Sequence, residues 1–360
     1  MSDIDDVIRR GIHQRLDALQ VPTEGRAATA RSDLRRSRGR RVLTAATVAA
    51  LVAGAAAAVY LLSGRQTDQV PEPARHLRVV RTLSASSLGL AKPEAAAIGP
   101  NGKLYITDSV HQTVTEATTS GRVVRTWGGD GARPGRFRLA EGGRIAVDQQ
   151  GRVYVADSGN GRVQVFTSSG KFIRQMGSFG GRAGQFVYPT AIAVGPDGSV
   201  YLSDDSRTAL TKLSPNGDQE WRLGGPRGTG APPDLVGHTH FGSLDSHGRL
   251  VVANDDTSRI VYLSPQGEEV DAFGHGKTSG HASDFPEGAC DTTVDSGNYV
   301  YVTGCIPTKE TGNLIQIYDP SHRLVGAWPH SPMITAPRFG PRGLAVSVGY
   351  GSILELAVDR

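Results

Sequence analysis

From residue 76 to the C-terminus the chain repeats itself about every 48 residues, and this period limits the possible folds more than any other feature of the sequence. The segments KLYITDS, RVYVADS, SVYLSDD, RLVVAND and YVYVTGC align so that their aspartates or equivalents fall at 108, 157, 204, 254 and 304, in steps of 49, 47, 50 and 50. Ahead of each lies a turn containing glycine (PNG, DQQG, PDG, DSHG, DSG), and ahead of that a small apolar run (AAAIG, RIAVD, AIAVG, GSLD, TTVD). Third and fourth runs follow, as in RVQVF–TSSG–KFIRQMG. Every unit therefore reads as four short strands joined by tight turns.

Such a sheet cannot bury both of its faces alone. In VYVAD, Val153 and Val155 point one way and Tyr154 and Ala156 the other, and neither pair is charged. Both faces are therefore fit to be covered, which predicts blades stacked face to face around an axis. The 285 residues from His76 to Arg360 hold six such units. The last of them, ITAPRFGPRGLAVSVGYGSILELAVDR, stops after its third strand, and HLRVVRTL (His76–Leu83) resembles the missing fourth. The expected fold is all-β: a six-bladed β-propeller over 76–360, closed by an N-terminal strand in its last blade.

The motif IAVDQQGRVYVADSGNGRVQVFTSSGKFIRQMG resembles an NHL repeat, as does GQFVYPTAIAVGPDGSVYLSDD in the next unit. The resemblance is strong over Ala91–Gly225 and rests on spacing beyond it. Later units depart from it, with Gly304 in place of the aspartate and the insert IPTKETG after Cys305. The resemblance implies a six-bladed propeller and says little about chemistry, because NHL propellers range from protein- and RNA-binding scaffolds to lyases.

The segment ahead of the propeller differs in kind. Residues 42–62, VLTAATVAALVAGAAAAVYLL, carry no charge over 21 residues, a length of about 30 Å as a helix, which matches a bilayer core. Residues 1–41 hold ten arginines against six acidic residues, and the rest of the chain balances to zero. By the positive-inside rule this predicts a single-pass cell-membrane protein with a cytoplasmic tail (1–41), a retained signal anchor (42–62), a linker (63–75) and an extracytoplasmic propeller, in a bacterial cell. A cleaved signal peptide is the alternative. Ile4, Val7, Ile8, Ile12, Leu16 and Leu19 recur at helical spacing, so the tail is expected to begin with a short amphipathic helix. Export would place Cys290 and Cys305 in an oxidising compartment. They flank a hairpin, VDSGNYVYV, on which a disulfide between them is expected.

Asp157, Asn160 and Arg162 suggest a reactive site when read alone. Their counterparts recur in other units, at Asp108, Asp204 and Asn254, and one active site has no use for four copies. These positions are expected to be structural corners. Function is instead expected where the blade-to-blade loops converge. Exposed Arg133, Arg136, Arg138 and Arg182 make one side of that rim basic, and Asp205, Asp255 and Asp256, with Asp204, make another acidic. A polarised rim suits a protein, peptide or envelope glycan. His238 and His240 point the same way on a strand, and His281 is expected on the same side, with His275, His330 and His111. No cofactor follows from a motif, but three such histidines form a candidate divalent-metal site, and six-bladed relatives with lyase activity use His and a metal. The chain lacks GxSxG, HExxH and any phosphate-cradling loop. The zero net charge of the propeller argues against nucleic acid as a partner. The readings left open are a binding scaffold or sensor, a metal-assisted lyase or lactone hydrolase, and a purely structural surface protein.

Overall fold

The computed structural model describes residues 75–359, except for 140–143, 206–207, 226–234, 236–238, 255, 275–284, 286–287, 305–312, 331–334, 341–342 and 350. Within these residues lie six four-stranded antiparallel sheets, each pairing its strands in simple up-and-down order. Their inner strands are Pro93–Ile98, Ile145–Val147, Pro189–Val194, Thr239–His240, Asp291–Val294 and Arg338–Phe339, from blades one to six in chain order. The second strands are Lys103–Asp108, Val153–Asp157, Val200–Asp204, Leu250–Asn254, Val300–Thr303 and Leu344–Gly349, as the aligned segments predict. His76–Ser84 pairs with Ser352–Asp359 and completes blade six, so the two ends of the repeat region share one sheet.

The alternation read in VYVAD now has its cause. Val153 and Val155 pack with Tyr105, Val114 and Phe137 of blade one and its outgoing loop, whereas Tyr154 packs with Ile192, Val200 and Leu202 of blade three. Six apolar clusters of this kind fill the six junctions between neighbouring blades, including the one between blades six and one. No blade has a core of its own. The hydrophobic driving force is spent wholly on stacking, which is why a single repeat is insufficient to fold.

The outer strands share a feature that the repeat alignment did not predict. In each blade the outermost strand carries one more residue than the strand it pairs with. The extra residues are Val80, Val124, Ile173, Glu220, Val270 and Val325. Such bulges bend and twist an edge, and a bent edge is a poor template for further strand pairing. Val80, Ile173 and Val270 lie exposed there.

At its start the described chain is clamped. The Arg75 guanidinium hydrogen-bonds Asp295 and lies over the Tyr299 ring, 3.5 Å from its centroid. Asp295 also accepts from Tyr301 Oη at 3.1 Å. These partners belong to blade five, whereas the strand that begins at His76 belongs to blade six, so the incoming chain ties two blades together.

Two expectations meet the structure differently here. No helix among the described residues is long and apolar enough to cross a membrane, and the proposed tail, anchor and most of the linker (1–74) lie outside those residues. The expected disulfide is not formed: Cys290 is a free thiol, and Cys305 lies outside the described residues. The register gives a reason at the described end of the hairpin: Asp291 pairs with Thr303 and Cys290 N donates to Thr303 O, so the residue that comes opposite Cys290 is Gly304, which has no side chain to bond.

Candidate axial binding site

The corner aspartates are structural, as expected. Asp157 is fully buried and accepts from Arg138 N (2.7 Å), Arg162 Nε (2.8 Å), Gln164 Nε2 (2.9 Å) and Asn160 Nδ2 (2.9 Å). Asp108 takes Ala91 N and Lys92 N, and Asp204 takes Val187 N and Tyr188 N. In each case the carboxylate at the end of a second strand holds the loop that enters its own blade. Asn254 caps its own turn through Asp256 N and Thr257 N. Gly161 ends the DSGN corner at φ 60°, where a Cβ would stand 2.4 Å from Phe186 O. That corner can therefore be closed only by glycine.

The rim residues do not form one site. Arg133, Arg136 and Arg138 are exposed on the connection into blade two, while Arg182 lies on the next connection. Their backbones serve the corners: Arg133 O and Arg136 O accept from Arg162 Nη2 at 3.2 and 3.1 Å. The Arg136 guanidinium donates to Gly128 O at 2.7 Å. Asp205 and Asp256 are turn residues of blades three and four, and Asp255 lies outside the described residues. Of the histidines, His238, His275 and His281 also lie outside. His111 is bound to the corner Asp108 at 2.9 Å.

His330 ends the outer strand Leu324–His330 of blade five, away from the inner strands. Of the three histidines expected as ligands, His238, His240 and His281, only His240 is described, and it leads to a group of residues that the sequence reading did not single out. The six inner strands enclose an axial cavity of about 390 Å³, walled by Ile98, Ile145, Val147, Val194, Leu244 and Phe339 and rimmed by the turn residues Asp148 and Asp245. Arg338 also lines it. Arg338 opens the inner strand of blade six, and its Nη2 grips both oxygens of Asp291, the first residue of blade five's inner strand, at 3.0 and 2.8 Å. From blade two, which stands opposite blade five in a ring of six, Arg144 reaches the same carboxylate at 3.4 Å. One carboxylate thus bridges the axis.

The side chains of Asp291, Arg338 and Arg144 are 6%, 14% and 19% exposed. Burial pushes the Asp291 carboxyl up, but Arg338, then Arg144 and His240, outweigh it and hold the group below its ordinary value. Burial draws Arg338 below its ordinary value against the pull of Asp291. Gly242 makes room for this pair, since a Cβ there would stand 2.3 Å from the Arg338 guanidinium. Among the described residues the cluster sets two guanidiniums against one carboxylate. The Arg144 guanidinium makes its one hydrogen bond among the described residues to Asp291, and the buried Nδ1 of His240 has no partner there.

This set does not fit a metal ion. No group of three or more His, Cys, Asp or Glu among the described residues is placed to hold one. Asp291, whose carboxylate feels the charge of His240, is already bound to arginines, and their charge would repel a cation. The sequence signal for the cluster lay in the first residues of the inner strands (RIAVD, DTTVD, RFG), where a charge replaces the small apolar residues of other repeats.

The NHL repeat family matches residues 143–166, which run from the start of blade two's inner strand to the end of its third. No curated protein matches the sequence. Among solved structures, a streptogramin B lyase is 12% identical, covering 79% of this chain and 98% of its own, with a TM-score of 0.53. Virginiamycin B lyase from Staphylococcus aureus gives 12%, 79%, 99% and 0.53. A gluconolactonase from Xanthomonas campestris gives 14%, 82%, 100% and 0.55. At these identities the likeness shows the fold alone.

Proposed function

We propose that this chain, an NHL-repeat six-bladed β-propeller, is a binding scaffold or sensor whose ligand docks end-on into the axial cavity. The observation that carries the reading is an axial cavity walled by residues of all six blades, with the buried Arg338, which Asp291 holds, in its lining. A concave site that offers both apolar residues (Ile98, Val194, Leu244) and polar ones (Ser243, Thr293, Arg338) is the usual form of a ligand site, and about 390 Å³ suits a small ligand or the terminus of a peptide or glycan. With the charge-free segment 42–62 as anchor, the propeller would meet such a ligand on the outer side of a bacterial membrane.

The test is thermal stabilisation of the full-length protein by a small-molecule and peptide library, with and without chelator. Stabilisation that ignores the chelator and is lost in Ala146→Phe, which narrows the chamber, supports axial binding. A second reading, a metal-assisted lyase or lactone hydrolase, draws support from the fold shared with the streptogramin B lyase and the gluconolactonase. Chelator-sensitive opening of a lactone would establish it and overturn the scaffold.

A further inference from the structure

Phe179 is 64% and Val110 60% exposed, more than any other large apolar residue described. The remaining exposed ones, Val79, Val80, Val123, Ile173 and Val270, all lie on outer strands, whereas these two lie among the rim arginines. The two connections that carry those arginines both pack on the Ser158–Asn160 turn of blade two. Gly159 N donates to Arg138 O at 2.8 Å, and Asn160 Nδ2 to Gly131 O at 3.0 Å. A Cβ on Gly159 would stand 3.0 Å from Arg138 Cβ, and one on Gly161 3.2 Å from Phe179 Cβ, so these two exposed side chains flank one turn. Val110 belongs to the matching corner of blade one, which Gln112 Nε2 ties to Leu139 O at 3.1 Å, beside Arg138.

We infer that this surface docks an acidic segment of a second protein, with Phe179 as its apolar contact. Arg133, Arg138 and Arg182 are exposed, and the bonds they make among the described residues run through their backbones. Arg133 O accepts from Arg162, Arg138 N donates to Asp157, and Arg182 N donates to Gln185. Their planar guanidinium forks are left for carboxylates. With Arg136 the two connections carry four exposed arginines, against Asp130 as their one described carboxylate. This is a local excess, because the chain beyond Arg41 balances to zero. Neither connection contains a lysine, which serves a phosphate-bearing surface well. Arginine and an aromatic without lysine is the composition of a protein interface, and arginine clusters read acidic segments. These corners join second to third strands, whereas the axial cavity is rimmed by turns from first to second strands. Surface and cavity therefore occupy opposite ends of the strands, and the inference stands apart from the axial reading.

The experiment titrates the full-length protein into labelled copolymers and reads fluorescence anisotropy. The probes are a glutamate–tyrosine copolymer, polyglutamate and a lysine–tyrosine copolymer. The glutamate–tyrosine copolymer is expected to bind about tenfold or more tightly than polyglutamate, and the lysine–tyrosine copolymer not at all. Phe179→Ser and Arg138→Glu should each weaken that binding about tenfold, while Val270→Ser, on the outer strand of blade four, should leave it unchanged. Unchanged binding in both Phe179→Ser and Arg138→Glu would overturn the inference, as would polyglutamate binding as tightly as the copolymer. Tighter binding of phosphatidylglycerol vesicles or single-stranded DNA than of the copolymer would overturn it in favour of a membrane or a nucleic acid. Absence of copolymer binding would also overturn it, and would leave the axial reading to its own library test. The comparison of probes on the wild type does not depend on whether the variants fold.

Discussion

Asp157 shows how much a single buried residue can hold. Four donors converge on it, and one of them is the nearly buried Arg162. Asp157→Ala leaves that guanidinium without its anion and frees the incoming loop, so a loss of about 3–5 kcal/mol is expected in urea unfolding. Asp157→Asn should cost less, because it keeps the acceptor. Asp291 makes a pH prediction. Its folded value lies below the ordinary 3.8, so its contribution to stability is complete above that value and is lost as the pH falls through the lower folded value. Replacing Asp291 by Asn should flatten this acid limb in thermal melts recorded at stepped pH, and an unchanged limb would contradict the assignment. Gly242→Ala is expected to displace the Arg338 guanidinium and cost about 1–3 kcal/mol, again read by urea unfolding. The corners were legible in the sequence because they recur. The axial cluster was not, because Arg144, Asp291 and Arg338 each occur once and join only when blades two, five and six close around the axis.

Among the elements, the second strands were read almost to the residue, since four uncharged positions in a row admit no other placement between two blades. The outer strands were found, but their bulges were missed. A bulge leaves the apolar pattern on both sides intact and differs from a regular strand by a single residue, which the variable lengths of the turns conceal. Ile173 separates the two roles of such a residue. Its side chain is 45% exposed, so Ile173→Ser should stay within about 0.5 kcal/mol of the parent. Deleting Ile173 is a different change. It would pull Phe172, which packs edge-on against Phe166 at 5.9 Å between centroids, out of register with its partner. Urea unfolding of the two variants should therefore diverge widely, and similar losses would show that the bulge is incidental.

For the whole molecule, the closing strand decides whether there is a ring at all. His76–Ser84 buries Leu77 and Leu83, which contribute about 3–6 kcal/mol together, and covers the last strand of blade six. A chain beginning at residue 85 should lose cooperative thermal unfolding and be cut by proteases in blade six first. The count of blades and this closure followed from the period alone, whereas the nature of the segment ahead of it rests on residues 1–74. One consequence is mechanical. The ladder runs from His76 opposite Asp359 to Ser84 opposite Ser352, and Arg75 grips blade five just before it. Tension applied upstream of Arg75 along that strand would strain its cross-strand bonds in parallel, in shear, after first testing the clamp on blade five. The strand that would take this load is the one that completes the last blade, so a force large enough to pull it away also opens the ring.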